Sequence, residues 1–117
     1  MTSWRLAILL AVSGLMACDK STVEPVASLT IDLSASTEIA APGDTISLVA
    51  AAKGPNLVGL EIDFGDTTSE IYPTHGASQA RVTFRHAYTA RGTFTVRVVV
   101  TDGTADQKDD SVDIRVN

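Results

Sequence analysis

Gly92-Thr93-Phe94-Thr95-Val96-Arg97-Val98-Val99-Val100-Thr101 is the stretch whose pattern decides the fold. Phe94, Val96, Val98 and Val100 fall on one side of an extended chain, and Thr95, Arg97, Val99 and Thr101 fall on the other. A helix would scatter the same apolar residues around its circumference. The period of two predicts a strand with one buried face.

The same period recurs on both sides. Toward the C-terminus, Val112, Ile114 and Val116 alternate with Ser111, Asp113 and Arg115. Toward the N-terminus, Leu29, Ile31 and Leu33, then Ile46, Leu48 and Ala50, then Leu60, Ile62 and Phe64, then Val82 and Phe84 each alternate with polar or small residues. Ala41-Pro42-Gly43-Asp44 and Lys53-Gly54-Pro55-Asn56 read as turns, since proline presets φ and glycine permits positive φ. Thr67 to Gln79, with Tyr72, Pro73, His75 and Gly76, reads as a long connecting loop, where binding residues tend to sit on a rigid scaffold. No helical period of useful length follows residue 20. Short strands punctuated by turns over about 90 residues predict an all-β, two-sheet antiparallel sandwich.

The N-terminus is of another kind. One cation, Arg5, precedes an uncharged apolar run from Leu6 to Ala17, and the only cysteine, Cys18, follows directly. The run is short of the ~20 residues that span a bilayer and suits the apolar region of a signal peptide. A buried helix or an uncleaved anchor is the plainer alternative. An ordinary secretory signal cut after Ala17 is a closer rival, and would leave a free thiol at the new N-terminus.

Leu15-Met16-Ala17-Cys18 resembles the lipobox of bacterial lipoproteins. That resemblance implies cleavage before Cys18 and a diacylglyceryl group on its thiol. Residues 1–17 are then the signal peptide, 18–26 the lipidated cysteine and a polar tether, and 27–117 the sandwich. It further implies a protein held by lipid at a bacterial cell membrane or outer membrane, facing the periplasm or exterior. Asp19 resembles the inner-membrane retention signal of enteric bacteria.

Removing 17 residues and one arginine from a chain of 117 residues with formal charge −5 leaves 100 residues at −6. That length supports one domain. Its acidity disfavours nucleic acid or anionic lipid as partners reached through charge. With one cysteine no internal disulfide forms, so stability rests on packing.

Asp63-Phe64-Gly65-Asp66, His86-Ala87-Tyr88, Gly92 to Val98 and Thr101-Asp102-Gly103 stand in the order and spacing of a PKD domain, and the chain resembles that family from about Ala27 to Asn117. The resemblance implies an immunoglobulin-like sandwich, usually extracellular, usually a spacer or interaction module. It assigns Asp63, Phe64, Gly65, Asp66, His86, Tyr88, Gly92, Asp102 and Gly103 to the structural motif. Ile62 stands where the family often has tryptophan, and Thr67 where a second glycine often follows the aspartate. Phe94 occupies the place of a common tyrosine and, by position, of the tyrosine corner of immunoglobulin domains, with Val96 at the second cysteine. On that alignment the corner hydroxyl bond and the inter-sheet disulfide are both missing.

Asp63 and Asp66 have the chemistry of calcium ligands, but aspartates beside a glycine more often shape a turn by accepting backbone N–H bonds. Asp102, Asp106, Asp109 and Asp110 lack the spacing of an EF-hand loop and read as a solvated hairpin. Two histidines and one cysteine without tight spacing argue against zinc. No nucleophile elbow, phosphate-cradling loop or other convergent constellation is visible, so no catalytic residue, metal or cofactor is expected. Arg81, Arg85, Arg97 and Arg115 read as a basic stripe or as strand charges paired with Asp113, Glu61 or threonines. Tyr72, His75, Arg81 and Arg85 are the candidate binding surface. The expected function is a non-catalytic protein-interaction or adhesion module on a lipid anchor, acting by surface contact with an envelope protein. Glycan binding is the alternative, disfavoured by the few exposed aromatics, and a truncated enzyme-like lipoprotein comes third.

Overall fold

The computed structural model describes residues 28–117. The expected signal peptide, the expected lipid attachment at Cys18 and the expected tether lie outside the described residues. Six strands form in order: β1 (Thr30–Ala35), β2 (Ile39–Ala40), β3 (Thr45–Asp63), β4 (Ser69–Ala87), β5 (Gly92–Asp102) and β6 (Gln107–Val116).

Two long strands organise the fold. The first part of β3 pairs antiparallel with β1, with Leu33 opposite Ala50, and with the end of β4, with Leu48 opposite Phe84. Its second part pairs with the start of β4, with Glu61 opposite Ile71, and with β5, with Ile62 opposite Val98. β5 pairs with β6, with Val96 opposite Val112. The ladder therefore curls from one layer, β1, β3 and β4, into a second, β4, β3, β5, β6 and β2. The result is an all-β fold of immunoglobulin type.

Between the layers lies one apolar cluster that includes Leu33, Ile46, Leu48, Leu57, Leu60, Ile62, Phe64, Phe84, Tyr88, Val96, Val98, Val100 and Ile114. The alternation that predicted the strands is the alternation that fills this core. Truncating one of these side chains to alanine removes contacts that cannot fully re-form, at a cost of about 2–5 kcal/mol.

Three expectations are corrected. Lys53 to Asn56 does not reverse the chain: β3 runs through it, with register shifts between Lys53 and Leu57 and between Leu57 and Gly59. Positive φ at Asn56 (54°) supplies the bend instead. Thr67 to Gln79 is not a loop, since β4 begins at Ser69 and crosses it. Its breakers are tolerated because a proline on an edge strand forfeits no ladder bond when its nitrogen faces solvent. Positive φ at His75 (53°) and Gly76 (82°) bends β4 beside the bend of β3. Finally, β2 pairs with β6 in parallel, with Ile39 opposite Arg115, so the sandwich is not wholly antiparallel.

The layers are tied along one side. The Leu33 N–H on β1 donates to Asp110 Oδ2 on β6 at 2.8 Å. On the other side, the only strand partner of β4 among the described residues is β3.

Candidate functional site

Asp63 to Thr68 forms a compact turn after β3. Asp63 Oδ1 accepts the Gly65 N–H at 2.8 Å, and the Phe64 N–H donates to Thr68 O at 3.0 Å. Gly65 has φ +83°, and a Cβ there would lie 2.6 Å from Thr95 O, so only glycine fits. Asp66 Oδ1 accepts the Thr68 N–H at 3.3 Å and the Thr68 hydroxyl, while Asp66 Oδ2 lies 2.8 Å from His86 Nε2. Partial burial pushes the Asp66 carboxyl up, but the Thr68 hydroxyl, His86 and the Thr68 N–H outweigh it and hold it below the usual range.

Four rings bind this turn to the core. Phe64 stacks on His86 with centroids 4.1 Å apart, His86 meets Tyr88 edge-on at 4.7 Å, and Tyr88 stacks on Phe94 at 4.4 Å. The Tyr88 hydroxyl donates to Phe64 O at 2.6 Å, and the Gly43 N–H donates to Tyr88 O at 2.7 Å. Phe94, at the corner position, supplies only a stacking face; the buried hydroxyl bond of this region comes from Tyr88, which sequence reasoning did not foresee. Burial, then the charges of Asp66 and Asp63, pushes the Tyr88 phenol up to about 12.

At the other end, Asp102 shapes the β5–β6 turn. Its Oδ1 accepts the Thr104 N–H at 2.9 Å, the Thr104 hydroxyl at 2.6 Å and the Asp106 N–H at 3.1 Å. The Thr104 hydroxyl is the largest influence and holds this carboxyl below the usual range despite partial burial. Asp102 is thus a buried residue of the turn, which corrects its reading as part of a wholly solvated hairpin. Gly103 packs beside it, and a Cβ there would displace the Asn56 side-chain amide. Both turns share the pattern Asp-x-Thr, Asp66-Thr67-Thr68 and Asp102-Gly103-Thr104. That repeat was the available signal for Thr68 and Thr104, which sequence reasoning passed over.

The polar motif residues are therefore engaged in internal bonds. Among the described residues no three histidine, cysteine, aspartate or glutamate side chains gather as a metal site.

The candidate surface residues all lie on β4, although not as one patch. Tyr72, opposite Leu60, belongs to the second layer, His75 lies at the bend, and Arg81 and Arg85, opposite Ala51 and Ser47, belong to the first. Gly92 opens β5 at φ 142°. The four-arginine stripe does not form. Arg97 and Arg115 lie on β5 and β6 of the second layer, and Arg97 Nε donates to Asp109 Oδ2 at 3.0 Å. Asp113 accepts instead from the Thr95 hydroxyl at 2.7 Å. The structure also exposes Val58, Ile71 and Tyr72 near the start of β4.

Two curled layers, pinned by aspartate turns and a ring stack, define a β-sandwich domain. Comparison with protein families sharpens this: a model described as "PKD domain" matches residues 22–116. The chain belongs to the PKD domain family.

Solved structures agree on the fold. The PKD domain of an M14-like peptidase from a Thermoplasmatales archaeon aligns at TM-score 0.64 and 20% identity, covering 74% of this chain and 91% of its own. A structure from work on carbohydrate-binding modules of the β-sandwich superfamily aligns at TM-score 0.65 and 18% identity, over 80% of this chain and 36% of its own. The PKD domain of the human VPS10 domain-containing receptor SorCS2 aligns at TM-score 0.54 and 18% identity, over 84% and 79%. No curated protein matches the chain.

Proposed function

We propose that this protein is an extracytoplasmic lipoprotein of a bacterial envelope whose PKD domain binds another envelope protein. The observation that carries the binding half is the side of β4 that no strand covers among the described residues, β4 being the strand on which Tyr72, His75, Arg81 and Arg85 all lie. The anchoring half rests on sequence: an uncharged run from Leu6 to Ala17 ending at the only cysteine. A tether of eight residues, at ~3.5 Å each, holds the domain within roughly 28 Å of the headgroups. Its partner is then a membrane protein or one close to the surface.

The test is intact mass and membrane fractionation of the full chain beside Cys18→Ala. Loss of residues 1–17 with a diacylglyceryl group gained, and release of the variant from the membrane, supports anchoring. A soluble, unmodified product cut near Ala17 refutes it. Crosslinking from β4 in intact cells tests the partner.

A second reading, glycan binding, draws on two observations. The chain shares its fold with a carbohydrate-binding module structure. The outer face of the first layer also carries a groove of about 560 Å³ lined by Thr30, Asp32, Lys53, Gln79 and Arg81, side chains suited to hydroxyls. Binding to isolated envelope glycans that is lost in Asp32→Ala would favour it over the protein partner.

A further inference from the structure

We infer that the second half of β4, Gln79 to Arg85, is an acceptor edge for an extended acidic segment of a partner protein, which adds to the sheet as a further strand. The inference rests on the protein-binding reading and specifies its chemistry. The first layer ends at this edge: its other margin, β1, is tied to β6 through the bond from Leu33 N–H to Asp110, whereas β4 has β3 on one side and no strand on the other among the described residues. A strand in that position leaves a row of backbone donors and acceptors on its open side. Such rows bind extended peptides by main-chain bonds, with side chains setting specificity.

Charge decides which peptide. Val82 and Phe84 point toward the core, so Arg81, Thr83 and Arg85 point outward, about 13 Å separating the two arginines at the rise of a strand. Neither arginine has a carboxylate within 4.0 Å among the described residues, in contrast to Arg97 with Asp109. The outward positions of the layer's three strands carry Lys53, Arg81 and Arg85 against a single carboxylate, Asp32. This is a cationic face on a chain of net charge −5.

A second copy of the chain is a poor occupant. Pairing β4 with β4 in antiparallel fashion sets arginines against arginines, and like charges across a ladder destabilise it. An incoming strand with carboxylates at alternate positions places them beside Arg81 and Arg85. Its intervening apolar residues extend the layer's inner face next to the half-buried Ala80 and Val82. The arginines thus repel self-association and select an acidic partner with the same charges.

The experiment uses the full chain, isotope-labelled and solubilised in nonionic detergent, with a ten-residue peptide alternating glutamate and valine. Two control peptides accompany it: one alternating lysine and valine, and the glutamate peptide N-methylated at every second residue. Expected are saturable binding of the glutamate peptide alone, slowed amide exchange confined to Gln79–Arg85, and affinity roughly tenfold weaker in Arg81→Glu/Arg85→Glu at unchanged thermal stability. Three results each overturn the inference: no binding, equal binding of the N-methylated peptide, or protection confined to Ser69–Pro73. If those results coincide with crosslinks to an envelope protein from elsewhere on the domain, strand addition fails while the protein-binding reading stands.

Discussion

Replacing Tyr88 with phenylalanine tests how the motif stabilises the domain. The substitution keeps the ring between His86 and Phe94 and deletes only the hydroxyl that donates to Phe64 O at 2.6 Å. Phe64 and Tyr88 are each 1% exposed, so water cannot replace the lost donor without rearrangement. An abandoned buried carbonyl costs about 1–3 kcal/mol. With a urea slope of about 1–1.5 kcal/mol per molar for a domain of this size, the midpoint falls by about 0.7–3 M near neutral pH.

High pH gives the same hydroxyl a second signature. The phenol is held near 12 against an ordinary 10.0, so the folded state favours its neutral form. As pH rises past 10 the unfolded chain releases that proton first, and the stabilisation is lost through the folded value near 12. Two pH units at about 1.4 kcal/mol each amount to roughly 3 kcal/mol. The variant has no phenol to ionise at this position. Urea unfolding followed by far-ultraviolet circular dichroism should therefore show the variant less stable at pH 7 and the gap closing between pH 10 and 12. Other titrating groups cancel in the difference between the two proteins. Equal stability at pH 7, or a gap that stays constant to pH 12, would refute this account of the hydroxyl.

Three further outcomes follow from the turns. Gly65→Ala should cost more than about 2 kcal/mol, since it combines positive φ with a carbonyl 2.6 Å from the new methyl; a thermal midpoint within a degree of the parent would contradict the packing. Thr67 is β-branched yet has φ 72°, so Thr67→Gly should raise stability by up to about 1 kcal/mol, read as a higher urea midpoint at unchanged slope. Asp66 and Asp102 are both held below the usual carboxylate range, so the stability they confer is present above pH ~4 and lost as pH falls through their folded values. An acid titration of the unfolding free energy should decline there, and Asp102→Asn, which keeps an acceptor oxygen but cannot ionise, should flatten that decline.

How much was legible in the sequence depended on whether a residue's role is local. Alternation in Phe94 to Val100 and its counterparts predicted the strands and their buried faces, because a period of two is a property of the chain alone. The aspartate turns were legible for the same reason: Asp63 and Gly65 act across two residues. Lys53 to Asn56 and Thr67 to Gln79 were misread because glycine, proline and asparagine are local signals of chain reversal, whereas bending without reversal depends on neighbouring strands. With β3 and β4 already paired on both sides of the bend, the same residues curve a continuous ladder from one layer into the next.

By itself, then, the sequence determined an all-β sandwich with an aliphatic core and a family motif at Asp63–Asp66 and His86–Tyr88. Only the tertiary structure decided that Tyr88 supplies the buried hydroxyl bond to Phe64, that Asp102 is buried, and that the arginines divide between two layers. The physical reason is distance along the chain. Tyr88 lies 24 residues from Phe64, and Leu33 lies 77 from Asp110. Such bonds arise when the core brings the layers together, and no pattern within either segment carries their geometry.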